Sequence, residues 1–508
     1  MKRIYLNFLY LSLTLLIQFC FQARGDELQE ILYEVFHNDY CYSNVMDSEH
    51  FSTGNILKCS ILCSQAKQCE SLSFDKNQKM CYFYPNSFGT ECHSKAGKVF
   101  ARPVNLFTYD DFGENSDDKP AFFVYSETSH GSMTPGSKCN FEFMDFNNKN
   151  LYKISTKEAV VKEDGMYITG LNFAFNKFAN EIILRNSTSK YDIKLTSYQS
   201  GNSYSLNSIT SFDYFSAESI VFPEVYYIDA KPIGTMNSRI LSWLMFKYDS
   251  PEYLSATTLG DDTNAGETVH YQDVREIKGI EIEDTRKFRI KKKGVYYINL
   301  GITAEGPKFK MLCFVNDMFI VQSGILRENN SNDDTISRAF SIYLYENDIF
   351  HCKVEFGILR GFAGSSLTML RIKVGRRYPM ISAATEISSQ GSPASNPVPF
   401  SKVFVNEGNF WDSSLDTYMI KVPGIYFMYM GVGATDNKNV QFKLMINNQY
   451  SGGVLKNGRS AGKFDIFSRT ILLKLQKGDE LYFESESPYG FRSDFHSTSF
   501  TMFYVSTI

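Results

Sequence analysis

The chain has 508 residues, with 52 Lys and Arg against 56 Asp and Glu and a formal net charge of −4. That length predicts three or four domains. A near-balanced charge, with no basic patch of note beyond Lys291–Lys293, argues against a nucleic-acid partner.

Aromatic residues make up 15% of the chain and helical periodicity is scarce, which favours an all-β protein. Met1-Lys2-Arg3 followed by an apolar run through Phe21 reads as a secretory signal peptide. Ala23 and Gly25 suit its cleavage site, so the mature chain begins near Asp26. Asn7 and Gln18 inside the run argue against an uncleaved anchor, and no later stretch is apolar enough to cross a membrane. Loss of Lys2, Arg3 and Arg24 leaves 49 basic residues. Arg24-Gly25-Asp26 spells an integrin-binding tripeptide, but the expected cleavage cuts it, and a three-residue match carries little weight.

From Cys41 to Cys92 the chain changes character, with six cysteines in a short span: Cys41, Cys59, Cys63, Cys69, Cys81 and Cys92. A small extracellular unit with too little core is stapled by disulfides. Six cysteines allow fifteen pairings, among which arithmetic does not choose. Cys59 and Cys63 are four apart in NILKCSILCSQAK, a run that suits a short helix with both thiols on one face. Zinc is the rival reading, but C-x-x-C pairs are absent and the context is secretory. The arrangement resembles a PAN/apple domain, a helix pinned to a small sheet. That resemblance implies nested pairs, Cys41–Cys92, Cys59–Cys81 and Cys63–Cys69, and a module that binds proteins or glycans.

After Phe107 the acidic run YDDFGENSDDKP reads as a solvated linker. Calcium is conceivable there, at Asp261-Asp262 or at Asp333-Asp334, but no spacing supplies enough oxygen ligands, so no cofactor is assigned.

The rest of the chain repeats. Gly165-Met-Tyr167, Gly294-Val-Tyr296 and Gly424-Ile-Tyr426 lie 129 and 130 residues apart. A second anchor follows each glycine by 53 to 55 residues, around Glu218, Asp348 and Asp479. A third closes each unit, from Ile240, Ser366 and Ser499. A unit of this length closes its own core, so the period marks tandem domains and not a solenoid. Repeats end near Asp249–Pro251 and Arg376–Pro379, where a proline follows each closing strand. The segment SSQGSPASNPVP falls inside repeat three as a long loop.

In repeat three, Tyr426, Met428, Met430 and Val432 alternate with Ile425, Phe427 and Tyr429, and both sets are largely apolar. A strand on a solvated sheet has one polar face, so this strand is expected to be covered on both sides. Phe400, Asn406, Trp411, Tyr418 and Gly424-x-Tyr426 form a frame that resembles the signature of the C1q globular-head family, a branch of the tumour-necrosis-factor-like jelly rolls. Repeat one keeps Phe141, Asn147 and Tyr152 but departs at Ala159 and Thr169; repeat two keeps only Phe288 upstream. The resemblance implies ten-stranded antiparallel sandwiches that assemble as trimers and recognise ligands through surface loops.

Two sequons, Asn186-Ser-Thr and Asn329-Asn-Ser, lie in polar stretches between strand-like runs. Cys313 and Cys352 sit in strand-like runs of repeat two, where repeat three carries Leu444 opposite the first and Phe483 near the second. They form either a disulfide or two buried thiols. Cys139 has no evident mate. Gly458-Arg-Ser460-Ala-Gly462 matches a nucleophile elbow, but that motif needs a strand before it and a helix after it in an α/β sheet. No histidine cluster or phosphate loop accompanies it, so no catalytic or metal residues are assigned.

The expected architecture is therefore mainly β: a signal peptide (1–25), a small disulfide-rich α+β PAN/apple-like domain (26–102), and three tandem C1q/TNF-like jelly-roll sandwiches (103–250, 251–377 and 378–508). The expected role is secreted, non-catalytic recognition of an extracellular protein or carbohydrate ligand, in innate defence or adhesion. A structural adhesive, coat or matrix component is the alternative. No collagen-like run is present to multimerise the chain. The three repeats are expected to close as an intramolecular pseudo-trimer, with a homo-oligomer as the rival. For the N-terminal cysteines, non-reducing peptide mapping is expected to recover Cys63 linked to Cys69 and Cys41 linked to Cys92; any bond from these six to Cys139 refutes the nested scheme.

Overall fold

A computed structural model describes five strands between Leu32 and Val104. Beyond them it describes residues 119–126, 134–174, 180–187, 193–197, 204–228, 241–327, 334–361, 365–375, 378–385, 397–408, 411–412, 415–435, 440–457, 462–485, 491–492 and 498–507. The expected signal peptide, the Arg24 tripeptide, the helix expected around Cys59 and Cys63, and Cys41, Cys69, Cys92, Asn329, Asp333 and Ser460 lie outside these residues. Every regular element among the described residues is a strand. The chain divides into two compact units, Met1–Thr108 and Tyr109–Ile508.

The first unit is a five-stranded sheet in the order Leu32–His37, Lys98–Val104, Ser71–Asp75, Met80–Tyr84, His50–Ser52. Cys81 lies on its fourth strand, in register with Phe51 on one side and Phe74 on the other.

The second unit contains three segments with one strand order, here called segments one, two and three. In segment three the inner sheet runs Lys402–Glu407, Met380–Ala384, Ser499–Ser506, Gly424–Thr435, Gly462–Leu475. Its outer sheet runs Trp411–Asp412, Thr417–Met419, Glu480–Ser485, Val440–Ile446, Gln449–Asn457. Segment one repeats this with Phe143–Asn148, Ala121–Ser126, Leu241–Lys247, Gly165–Ala174 and Tyr204–Phe215 inside. Outside it has Tyr152–Lys153, Glu158–Val160, Ile220–Ile228, Asn180–Asn186 and Ile193–Ser197. In segment two the inner sheet is Asp273–Lys278, Tyr253–Thr257, Ser366–Ile372, the first half of Gly294–Val315, and Asp334–Leu344. The second half of Gly294–Val315 joins the outer sheet, between Ile349–Leu359 and Met318–Arg327. All these pairs are antiparallel, and the fold is that of jelly-roll sandwiches.

The G-x-Y frame has a steric and a polar cause. A Cβ on Gly424 would lie 2.3 Å from the Tyr504 ring and 2.7 Å from Ser506 O. At Gly165 and Gly294 the crossing side chains are Lys247 and Arg371. The tyrosine two residues on buries its ring in the core and donates its hydroxyl to the carbonyl four residues upstream. The distances are 2.9 Å for Tyr167 to Glu163 O, 2.7 Å for Tyr296 to Lys292 O and 2.6 Å for Tyr426 to Val422 O. The strand is thereby tied to the turn that feeds it.

The second anchor is a latch between two turns. Asn316 donates Nδ2 to Asp348 Oδ1 at 2.6 Å and accepts from Ile349 N at 2.9 Å. Asn447 does the same with Asp479 and Glu480, at 2.8 and 3.0 Å. In segment one Ser187 takes the asparagine's place, its Oγ accepting from Ile220 N at 2.9 Å.

The cores follow the inward alternation. Phe122, Phe141, Tyr152, Tyr167 and Trp243 fill segment one, and Phe400, Phe442, Phe483 and Phe500 pack ring to ring in segment three. Gly424→Ala is expected to destabilise the protein by about 1–3 kcal/mol, the usual cost of overpacking a tight core. Chemical denaturation would read this directly, and an unchanged midpoint would contradict the steric account of the motif.

Candidate functional site

The outward face of the G-x-Y strand is buried as fully as the inward one. Ile425, Phe427 and Tyr429 are 0–1% exposed, and Val295 and Tyr297 of segment two are both 0% exposed. Their cover comes from the neighbouring segment. The long strand Tyr204–Phe215 of segment one lies on the inner sheet of segment two, Asp334–Leu344 on that of segment three, and Gly462–Leu475 on that of segment one. The three contacts form a closed cycle.

Sheet edges follow the same cycle. Met318–Arg327 of segment two pairs with the long strand of segment three, Leu326 opposite Phe464. Gln449–Asn457 of segment three pairs with the long strand of segment one, Tyr204 opposite Asn457. Ile193–Ser197 of segment one approaches the long strand of segment two.

One aromatic cluster draws on all three segments. Phe427 lies 5.6 Å from Phe246, 5.5 Å from Tyr297 and 5.0 Å from Phe503, centroid to centroid. Tyr248 completes it, 5.6 Å from Phe503. Such rings bury large apolar areas and gain further from edge-to-face geometry.

Next to this cluster lies a layer of buried polar groups. At each seam, a side chain on the G-x-Y strand bonds the backbone of the preceding segment's long strand. Asn172 donates Nδ2 to Thr470 O at 2.7 Å, and its Oδ1 accepts from Thr470 N at 2.8 Å. Asn299 donates to Thr210 O at 2.9 Å. Tyr429 donates its hydroxyl to Ser337 O at 2.8 Å. Glycines make room: a Cβ on Gly170 would lie 2.7 Å from Thr470 Oγ1, and one on Gly431 3.2 Å from Arg338 Nη1. Arg338 is fully buried and donates to Ser499 Oγ at 2.8 Å. Burial lowers its pKa and the Tyr429 hydroxyl opposes that; burial likewise raises the Tyr429 pKa, with Arg338 opposing.

None of these polar residues stood out in the sequence. The available signal was a polar residue among apolar outward positions, at Asn299 in GVYYINLG and Asn172 in GLNFAF, where another repeat carries glycine.

The other singled-out residues lie apart from the seams. Cys313 and Cys352 face each other across adjacent strands and are joined in a disulfide, Cα to Cα 4.1 Å. Leu444 and Phe483 occupy the same facing pair in segment three. Cys139 is a free thiol in the core of segment one, its pKa pushed up by burial to about 12. Asn186 ends its strand half-buried, beside the Ser187 latch. Asp262 is held by Arg360 Nη1 at 2.6 Å and by Gly361 N at 3.0 Å. Among the described residues no cluster of three or more His, Cys, Asp or Glu could hold a metal ion, and no helix is long and apolar enough to cross a membrane. Gly462 opens a strand, where a nucleophile elbow requires a helix.

Asn172→Ala leaves the Thr470 peptide without its side-chain partner in a buried seam. The expected loss is about 1–3 kcal/mol for each buried group left unsatisfied, measured by denaturant unfolding of the full chain. A change within about 0.5 kcal/mol, the range of ordinary surface substitutions, would contradict the seam's role.

Two stretches match family models: residues 381–505 the C1q domain and residues 33–109 the PAN domain. Complement C1q tumor necrosis factor-related protein 2 of Mus musculus is 30% identical over 88 residues, 17% of this chain and 29% of its own length. Complement C1q tumor necrosis factor-related protein 3 of Mus musculus is 30% identical over 103 residues, 20% and 40% respectively. The aligned parts thus span less than half of these relatives. Among solved structures, the globular domain of zebrafish complement 1qA protein aligns at 18% identity and a TM-score of 0.20, covering 25% of this chain and 93% of its own. Murine APRIL aligns at 14% and 0.21, covering 25% and 98%. This chain is thus similar to C1q-domain proteins over its last quarter and to PAN-domain proteins near its start.

Proposed function

We propose that the chain is a secreted, non-catalytic recognition protein: a PAN-like module followed by three C1q-like sandwiches that close on one another as a single-chain counterpart of a trimer. Its ligand is an extracellular glycan or protein, met by the loops and outer sheets of the ring. The closed cycle of seams carries this reading. Three segments of one strand order cover one another's apolar faces, which exposed would be an aggregation liability. The covalent links supply a high effective concentration, so the ring needs no second chain. The C1q match on segment three and the PAN match near the start support an extracellular role, as does the apolar leader through Phe21.

Light scattering on the deglycosylated protein is expected to give the mass of one chain, unchanged on dilution; a mass of three chains sinks the single-chain arrangement. A glycan array probed with the purified mature chain tests recognition separately. Saturable binding to a defined set supports it, whereas insoluble, cross-linked material that binds nothing favours a structural secretion.

A further inference from the structure

The seam between segments one and two sets two carboxylates against one guanidinium, with a third carboxylate near the first. Asp213, on the long strand of segment one, faces Arg275 on the edge strand Asp273–Lys278 of segment two, Oδ1 to Nη1 3.9 Å. The same guanidinium holds Asp273, Nε to Oδ2 3.3 Å, and Thr257 Oγ1 donates to that oxygen at 3.1 Å. Glu276 is the third carboxylate, close enough to feel the charge of Asp213 and to act on the Tyr253 hydroxyl. The Tyr253 ring packs across the seam on Phe212, 5.4 Å away. The side chains of Asp213, Arg275 and Asp273 keep only 18%, 16% and 15% of their surface exposed. Asp213 Oδ2 is buried.

Burial disfavours the charged form of Asp213 and of Glu276, the Asp213 charge adds to this at Glu276, and the one arginine facing Asp213 is shared with Asp273. At 3.9 Å it makes no hydrogen bond to Asp213. We infer that this cluster makes the seam an acid-strengthened joint: uncharging Asp213 or Glu276 tightens segment one against segment two, and charging both loosens it. The inference rests on the closed arrangement of segments proposed above.

The sign follows from linkage. Burial raises the Asp213 pKa, with Arg275 and then a hydrogen bond from Ser211 opposing; burial and then Asp213 raise that of Glu276. A carboxyl raised in the folded state adds stability as pH falls through its folded value, and that contribution is lost as pH rises above it. Glu158 and Glu163 act oppositely, held low by Lys138 and by Lys149 with Lys247, so their contribution is lost in acid. Asp348 and Asp416 are raised by burial in turns elsewhere. The difference between parent and variant therefore isolates the seam.

The experiment is denaturant unfolding of the full mature chain and its Asp213→Asn form, at neutral pH and at about pH 5, just above the ordinary carboxylate range. Asp213→Asn is expected to unfold at a higher midpoint than the parent at neutral pH, the gap narrowing in acid. A lower midpoint at neutral pH, or a gap independent of pH, overturns the inference, because the Arg275 pair would then dominate. Should Asp213→Asn fail to fold, Glu276→Gln carries the same comparison. Light scattering of each sample keeps the two ideas apart. With one-chain mass the midpoints decide the joint, whereas three-chain mass removes the ring itself.

Discussion

The second face of the G-x-Y strand governs this structure. A strand that carries Ile425, Phe427 and Tyr429 outward and Tyr426, Met428 and Met430 inward has no side to give to water. The sandwich covers one set; the other needs a neighbour of matching shape, and the chain supplies it from its own length. Repeating this three times around a circle leaves no outward face of such a strand over. An odd copy would, and that is why a heterologous contact that closes suits a soluble protein better than one that propagates.

Apolar burial alone would let two such faces slide. The polar layer beside the aromatic cluster removes that freedom, because a buried peptide group must meet a partner in one register or stay unsatisfied. Asn172, Asn299 and Tyr429 solve one problem with different chemistry at the three seams. Identical subunits could not differ in this way. Fusion into one chain lets each seam carry its own solution, and Ile209 over Gly301 corresponds to the buried Arg338 over Gly431.

Much of this was legible in the residues and some was not, for physical reasons. The period of the glycine–tyrosine pair reports local geometry, a side chain crossing a glycine and a hydroxyl reaching four residues back, so it survives in sequence. The double-sided apolar strand also reads directly, because alternation exposes both faces to inspection. The latch was visible only as an acidic residue at a fixed distance, since its partners Asn316 and Asn447 sit more than thirty residues upstream. The seam side chains were invisible: Asn172 and Thr470 are 298 positions apart, and nothing local distinguishes a strand asparagine facing solvent from one holding a peptide. Asp213 and Arg275 hid for the same reason, two charged residues on separate strands whose meeting depends on the ring.

The seam between segments three and one differs from its two companions in having no peptide connection across it. The links near Ser250 and Gly375 stitch the other two. A pull on the two ends of residues 119–507 therefore enters at segment one and leaves at segment three, which are adjacent in the circle. That seam is held by the Phe246–Phe427 ring contact, the Asn172–Thr470 bonds and the Tyr204–Asn457 edge pairing. The circle is thus a clasp whose closing seam is held by noncovalent contacts alone.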